Sequence, residues 1–148
     1  MEIVLDEWIY HYISNPRKRE TIFQFLENIL RKCDRFVTIR GKGLDQKIWA
    51  MAKKSSYWDD TGRKLVKWFM GSFRCNTEKF HVLEESNATA LSAELEQETP
   101  SADRYLVQAA ITTGGFILTT DTKLKESLSN RPEVTVCIVD KFLDHYDP

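Results

Sequence analysis

Short apolar runs alternate with helical stripes along the first part of the chain. The run 3–5 predicts a buried strand, and a helical stripe of aromatic and aliphatic residues follows it up to the break at Asn15-Pro16. The clearest helix is predicted over 17–33, because apolar residues recur there at steps of three and four. The β-branched run 36–39 predicts the second strand.

The middle of the chain predicts two helices, a strand and an acidic connection. One helical stripe begins at Leu44, and the segment Asp59-Asp60-Thr61 is expected to supply the N-cap of a second helix. The apolar run 80–83 predicts the third strand. The acid-rich stretch 84–98 has few apolar anchors, so we expect either a mobile loop or a poorly packed helix outside the core.

The last part of the chain continues the alternation. Thr99-Pro100 is expected to open a helix, with threonine as N-cap and proline at the first helical position, and Gly114-Gly115 is expected to end it. The runs 116–120 and 134–139 predict the fourth and fifth strands, with a short helix over 123–128 between them.

This alternation of strands and helices predicts a parallel sheet covered on both faces. The strands are short unbroken apolar runs, as expected for strands with helices on both sides. No internal repeat and no domain boundary interrupts the pattern. We therefore predict a single domain over 1–148, with a three-layer α/β sandwich around a sheet of about five strands.

The charge balance limits how this chain could bind nucleic acid. It has 21 basic and 22 acidic residues, a net charge of -1. Proteins that bind nucleic acid are usually more basic, so any RNA contact must depend on local patches. Three basic patches have aromatic neighbours in the sequence: 17–19, 53–54 and 63–67, near Tyr57, Trp58 and Trp68. Such charges can track an RNA backbone, but they also occur as solvated helix faces.

Cysteine usage and hydropathy indicate a cellular location. Cys33, Cys75 and Cys137 lie far apart and show no zinc-binding spacing, which predicts buried free thiols in a reducing compartment. The first residues lack the features of a signal peptide, and no run approaches the length of a membrane span. We therefore predict a cytoplasmic protein without a membrane segment.

Four aspartates are the candidates for chemistry. Asp6 directly follows the first predicted strand and Asp121 the fourth, and Asp45 and Asp103 lie near the starts of helices that follow strands. The carboxyl ends of parallel strands meet at one edge of a sheet, where ligands bind. Because neighbouring carboxylates repel one another without a cation, the pattern predicts a site for a hard divalent ion such as Mg²⁺ or Mn²⁺.

Each acid also has a structural interpretation that requires no metal. Asp6 and Asp121 can cap the helices that follow them, and Asp45 can be a solvated first-turn acid. Asp103 differs, because it shares a helical stripe with apolar residues such as Leu106. An unpaired charge that faces a core is costly, so Asp103 is predicted to need a partner.

Two segments near the end of the chain share a pattern with a known family. In 99–104 an aspartate stands at the start of a helix, and after a small-residue turn the strand 116–121 ends in Thr-x-Asp, which places Asp121 18 residues after Asp103. This pattern resembles the C-terminal signature of PIN-domain nucleases, including the VapC type. The segment 3–6 is similar to the family's first strand and first acid, and the order of elements agrees over nearly the whole chain.

The resemblance implies an endoribonuclease that depends on Mg²⁺ or Mn²⁺ and hydrolyses phosphodiester bonds in RNA. Asp6, Asp103 and Asp121 would be the metal ligands. Asp45 would complete the catalytic pocket, at the position where the family commonly has glutamate. The resemblance further implies a homodimer and a toxin role with an antitoxin protein as partner.

Three polar residues around Asp121 are candidates for substrate binding. Thr119 or Thr120 is expected to orient a carboxylate or to bind phosphate. Lys123 stands where many members of the family carry another acid or polar ligand, two residues after the Thr-x-Asp aspartate. We expect Lys123 to contact phosphate instead.

Two other functions are compatible with the sequence. A PIN-like module with weak or no catalysis would bind RNA or protein, and Lys123 and the near-neutral charge are compatible with it. A flavodoxin-like or receiver-like signalling domain would also place acids at strand ends. Asp6-Glu7 and Asp140-Lys141 resemble that pattern, but the long two-helix insertions between the strands do not.

Overall fold

The computed structural model describes residues 1–54 and 58–146 and contains one five-stranded sheet in which all pairs are parallel. The strands are β1 (Glu2–Leu5), β2 (Arg35–Ile39), β3 (Phe80–Leu83), β4 (Phe116–Thr119) and β5 (Val136–Ile138). Their order is β3-β2-β1-β4-β5, so β1 is central and the chain changes direction across the sheet between β1 and β4. In an open parallel sheet this switch point opens a crevice at the carboxyl ends of the strands.

Eight α-helices lie within the described residues. They are α1 (Trp8–Ser14), α2 (Arg19–Arg31), α3 (Gly43–Lys53), α4 (Asp60–Phe69), α5 (Ala93–Glu98), α6 (Arg104–Thr113), α7 (Thr122–Ser127) and α8 (Val139–Leu143). A π-helical turn, Met70–Arg74, extends α4, and 3-10 turns occupy Glu85–Asn87 and Ser101–Asp103. The expected N-cap of α4 is confirmed, because a side-chain oxygen of Asp59 accepts a hydrogen bond from the Gly62 N–H at 2.9 Å.

Helices cover both faces of the sheet. Ile3 and Leu5 of β1 point to one face and join a buried core with residues of α1 and α2, whereas Val4 points to the other face, into a core with α6. Both cores are nearly inaccessible to solvent, as expected for strands buried on two sides. The structure confirms the predicted three-layer α/β sandwich around a parallel sheet.

Near the end of the chain one predicted helix start was wrong, and one predicted strand is present but shorter than expected. Thr99 does not cap α6, because it ends α5 and is buried, and the extended backbone of Pro100 leads into a 3-10 turn before α6 begins at Arg104. The last strand is also shorter than expected. Val139 and Asp140 begin α8, so Asp140 is a helix residue.

The acid-rich stretch 84–98 contains more secondary structure and makes more core contact than expected. It forms a 3-10 turn and the short helix α5, whose Leu95 is only 3% exposed and belongs to the core on the α6 face. The prediction that this stretch lies outside the core is therefore wrong for Leu95. Its mobility stays a prediction, to be measured by hydrogen exchange.

The cysteines are free but are not buried as expected. Cys33 and Cys75 are exposed, and Cys137 is half-buried. Cys33 lies just beyond the end of α2 and Cys75 just beyond the π-helical turn, so the apolar stripes of those elements end before them. Within the described residues no helix has the length and apolar content to cross a membrane. Tyr57, named above with the basic patches, lies outside the described residues.

Candidate functional site

The register of the sheet brings Asp6 and Thr119 together. Val4 pairs with Ile117 and Leu5 with Leu118, so the next position places Asp6 beside Thr119 at the end of the two central strands. Side chains alternate along a strand, and Asp6 therefore points to the same face as Val4, towards α6. The Thr119 hydroxyl donates a hydrogen bond to Oδ2 of Asp6 at 2.6 Å.

The same hydroxyl also holds the segment that carries Asp121. Thr119 is fully buried, and its oxygen accepts a hydrogen bond from the Asp121 N–H at 3.0 Å. One side chain thus links the first and last of the candidate acids. Of the two threonines considered from the sequence, Thr119 orients a carboxylate, whereas Thr120 is exposed.

Asp121 caps the helix that follows it and keeps one oxygen for another partner. Its Oδ1 accepts hydrogen bonds from the backbone N–H groups of Lys123 and Leu124, at 2.9 and 3.1 Å. The structural interpretation of this residue is thus correct, but both bonds reach Oδ1, and Oδ2 is the oxygen that can face a ligand. The Lys123 side chain is exposed at this helix start.

Asp103 is the acid whose environment most requires a partner. It is half-buried at the start of α6, and among the described residues its carboxylate has no hydrogen-bond or ion-pair partner. Burial, followed by the charges of Asp6, Asp121 and Glu7, raises the pKa of Asp103 to about 6. Both causes disfavour the charged form, and a cation placed among these carboxylates would reverse that effect.

Burial also raises the pKa of Asp6 above its ordinary value. Hydrogen bonds from Thr119 and from the Glu7 N–H oppose this shift, whereas the charges of Glu7 and Asp121 add to it. The carboxylates of Asp6, Asp103 and Asp121 therefore lie in one electrostatic neighbourhood. We call these three residues, together with Glu7, the acidic pocket.

Glu7 belongs to the acidic pocket but was not among the candidate site residues. Its charge raises the pKa of Asp103 as well as that of Asp6, and its Oε2 lies 3.0 Å from Nζ of Lys47. The available signal was its place directly after Asp6, at the carboxyl end of the central strand. The ion pair with Lys47 could not be inferred from that position.

The Tyr105 side chain lies between the acidic pocket and the start of α3. Burial and the charge of Asp6 both raise the pKa of its phenol, and its oxygen accepts a hydrogen bond from the Leu44 N–H at 3.3 Å. A Cβ atom at Gly43 would lie 2.8 Å from the Tyr105 ring, so only glycine allows this close approach.

The expectation that Asp45 completes the acidic pocket needs correction. Asp45 is buried, and its Oδ1 accepts a hydrogen bond from Nε of Arg74 at 2.9 Å, while its Oδ2 accepts one from the Gly41 N–H at 2.9 Å. Both oxygens are engaged and the charge is neutralised by a buried guanidinium. Asp45 therefore anchors the loop between β2 and α3 and is not available to a metal.

The geometry does not form a complete metal site. In residues 1–54 and 58–146, no three carboxylate, imidazole or thiol side chains are grouped closely enough to hold a metal ion. The donor chemistry of the acidic pocket nevertheless suits a hard divalent cation, because its donors are carboxylate oxygens and the Asp103 carboxylate is half-buried without a partner.

Comparison with known proteins shows the fold. No protein-family model and no curated protein sequence matches this chain. Among solved structures it is similar to VapBC2 from Rickettsia felis bound to a DNA fragment from its promoter, with a TM-score of 0.52 and 13% identity over 93% of this chain and 98% of that one. It is also similar to FitAcB from Neisseria gonorrhoeae, with a TM-score of 0.51 and 14% identity over 90% of this chain and 95% of that one.

The chain has the PIN-domain fold. The fold predicted from the resemblance is therefore confirmed. At this level of identity the comparison establishes architecture alone, so the activity must be argued from the acidic pocket.

Removing the Thr119 hydroxyl tests how the pocket is built. Thr119→Val deletes a buried group with two hydrogen bonds, and we expect it to lower the free energy of unfolding by about 1–3 kcal/mol. It should also raise the pKa of Asp6 further, because the Thr119 hydrogen bond lowers that pKa. Urea unfolding and an NMR titration of the Asp6 carboxyl group measure the two effects. Thr119→Ser keeps the hydroxyl and should restore both, and the linkage is refuted if serine behaves like valine.

Proposed function

We propose that this protein is a metal-dependent endoribonuclease that hydrolyses phosphodiester bonds in RNA, with Mg²⁺ or Mn²⁺ held by the acidic pocket. The observation that carries the proposal is Asp103, a half-buried carboxylate without a partner whose pKa is raised to about 6 by burial and by three neighbouring acids. Such an arrangement costs stability unless a cation binds there. Its position at the carboxyl ends of the central strands is where ligands bind in open parallel sheets.

In this proposal the three aspartates of the acidic pocket hold the cation. Asp103 and Oδ2 of Asp121 contribute the oxygens that are free to bind the cation, and Asp6 contributes one oriented by Thr119. A bound divalent cation would polarise the scissile phosphate and lower the pKa of an attacking water. Lys123, which is exposed at the start of α7, would contact a neighbouring phosphate.

An RNA cleavage assay with Mg²⁺, Mn²⁺ or EDTA tests this function, with Asp121→Asn as the matched variant. Asparagine is as good an N-cap as aspartate, so α7 should be preserved while the charge is lost. We expect wild-type cleavage with either cation and none with EDTA, and a loss of about 100-fold or more in the variant. Cleavage that is equal in EDTA, or unaffected by Asp121→Asn, would exclude this mechanism.

The comparisons support a protein partner as well. Both structural neighbours are toxin–antitoxin complexes, and on that basis we propose a toxin role and an antitoxin that binds this chain. An aromatic pair offers a surface for it, since Phe23 of α2 is 40% exposed and its ring lies 5.0 Å from that of half-buried Trp68 of α4. We also propose a single domain, on the uninterrupted alternation of elements along the chain, and a homodimer, on the resemblance alone. Light scattering measures the oligomeric state.

A PIN-like module that binds RNA or protein without cleaving it is the second candidate. It is favoured by the finding that the described residues contain no group of three side chains able to hold a metal ion. The assay above separates the two functions. RNA that is bound but stays intact with both Mg²⁺ and Mn²⁺ would favour the non-catalytic module.

A further inference from the structure

Two basic residues beyond the carboxyl end of β2 are paired with the acid-rich stretch. Arg40 follows β2 and Lys42 precedes α3, and we call residues 40–42 the basic loop. Nε of Arg40 lies 2.6 Å from Oε1 of Glu84, and Nζ of Lys42 lies 2.8 Å from Oε1 of Glu85. Two cations that are separated by Gly41 thus pair with two consecutive glutamates.

The register of the sheet dictates this pairing. Ile39 pairs with Leu83 at the ends of the parallel strands β2 and β3, and the Arg40 N–H donates a hydrogen bond to the Leu83 carbonyl oxygen at 2.8 Å. The next residues, Arg40 and Glu84, therefore leave the sheet side by side. They do so at the carboxyl edge, where the acidic pocket also lies, and Lys42 directly precedes Gly43, which packs on Tyr105.

The backbone of the basic loop is anchored by Asp45. The Gly41 N–H donates to Asp45, which Arg74 fixes in the core. Gly41 has a φ of +72°, and nothing lies within 4 Å of the position that a Cβ would take there. The backbone of the basic loop is therefore open to solvent at Gly41, between the two cations.

These ion pairs contribute little to the stability of the fold. The side chains of Arg40 and Glu84 are 55% and 52% exposed, and those of Lys42 and Glu85 are 41% and 66% exposed. Exposed ion pairs of this kind are weak, so another anion can replace the glutamates at small cost. Arg104 is different, because it also donates to the backbone carbonyl oxygens of Glu96 and Thr99 and is thereby part of the α5 anchor.

Outside the acid-rich stretch, the chain has an excess of basic residues. The stretch 84–98 has five of the 22 acidic residues and no lysine or arginine, so the rest of the chain has 21 basic against 17 acidic residues. A polyanion that approaches the acidic pocket is repelled by its carboxylates and needs cations beside them. The basic loop supplies two such cations on the same sheet edge.

We propose that Arg40 and Lys42 bind phosphates of the RNA backbone beside the acidic pocket, and that Glu84 and Glu85 compete with RNA for them. The acid-rich stretch thus mimics two consecutive phosphates and lowers the affinity for RNA. Binding exchanges each glutamate for a phosphate, and no covalent step is involved. This inference rests on the proposed function for its ligand, single-stranded RNA.

Affinity for a labelled single-stranded RNA, measured in EDTA by fluorescence anisotropy, tests the competition. The double variant Glu84→Gln/Glu85→Gln releases both cations, and we expect binding to tighten roughly 3- to 10-fold. The slope of log Kd against log salt should steepen by about one, as expected when more phosphates are neutralised. Arg40→Gln/Lys42→Gln should weaken binding and abolish the effect of the glutamate changes.

The matched control is Glu94→Gln/Glu98→Gln. This control also removes two negative charges from the acid-rich stretch. Glu94 and Glu98, however, pair with Arg131, which lies beyond the end of α7. We expect this control to change the RNA affinity much less than the first variant. Equal tightening by both variants would show a general charge effect and overturn the proposal, as would unchanged affinity in Glu84→Gln/Glu85→Gln or no RNA binding by any variant. Cleavage is scored separately, so the proposed function can stand when this inference fails.

Discussion

Changing Arg74 to methionine is expected to lower the free energy of unfolding by about 3–5 kcal/mol. The side chains of Arg74 and Asp45 are 8% and 4% exposed, so the change leaves a carboxylate buried without its cation. The guanidinium also lies over the rings of Trp49 and Phe80, at 5.1 and 5.8 Å from their centroids, and methionine preserves most of that packing. Urea unfolding of both proteins measures the difference.

The double variant Asp45→Asn/Arg74→Met is the control for this prediction. Asparagine keeps an oxygen that can accept the Gly41 N–H, and it removes the buried charge, so we expect the double variant to recover part of the lost stability. A destabilisation below about 1 kcal/mol for Arg74→Met would contradict this prediction, because a buried carboxylate without its cation should lower the free energy of unfolding by more than that. In that case Asp45 would again be a candidate for the acidic pocket.

Asp103→Asn is expected to have the largest effect on activity, with a gain in stability. It removes a carboxylate that is repelled by three others, so cleavage should fall about 100-fold or more. Without metal at pH 7.5 the variant should be more stable than the wild type by about 1 kcal/mol, after solvent screening is allowed for. For a chain of this size that is roughly 3 °C in Tm. If Asp103→Asn unfolds the protein, the residue is structural.

The stability gain should depend on pH in one direction. The pKa of Asp103 is about 6 in the folded protein against 3.8 for an ordinary aspartate, so the folded state binds more protons than the unfolded state between these values. Ionised Asp103 therefore costs stability as pH rises from about 4 to 6, and the cost is complete above that range. Thermal unfolding in EDTA should show no gain for Asp103→Asn at pH 4 and the full gain at pH 7.5. An equal gain at both pH values would mean that charge repulsion is not the cause.

The parts of the site that follow from the order of elements could be predicted from the sequence. Asp6 and Asp121 were found because acids that directly follow buried strands must lie at the carboxyl edge of a parallel sheet. Asp103 was found because it shares a stripe with apolar residues, and the structure leaves it half-buried. Asp103 itself lies in the 3-10 turn that precedes α6, so the sequence predicted its partial burial but not its exact element.

The parts that depend on a distant partner could not be predicted. Asp45 has the sequence position expected of a second acid, but its partner Arg74 lies 29 residues further on, in a π-helical turn that no periodicity indicates. Thr99-Pro100 has the composition of a helix start, but packing of α5 buries Thr99 and gives Pro100 an extended backbone. Tertiary contacts overrode a local preference at both positions.

The most direct test of the acidic pocket is a calorimetric titration of wild-type protein and Asp103→Asn with Mn²⁺. Because the pKa of Asp103 is about 6, binding at pH 6 should release a fraction of a proton that is not released at pH 8. We expect saturable binding to the wild type with this pH-dependent proton release, a rise in its Tm, and affinity at least about tenfold weaker in Asp103→Asn. Absence of saturable binding to the wild type, or equal affinity in Asp103→Asn, would contradict the claim that these acids form a cation site.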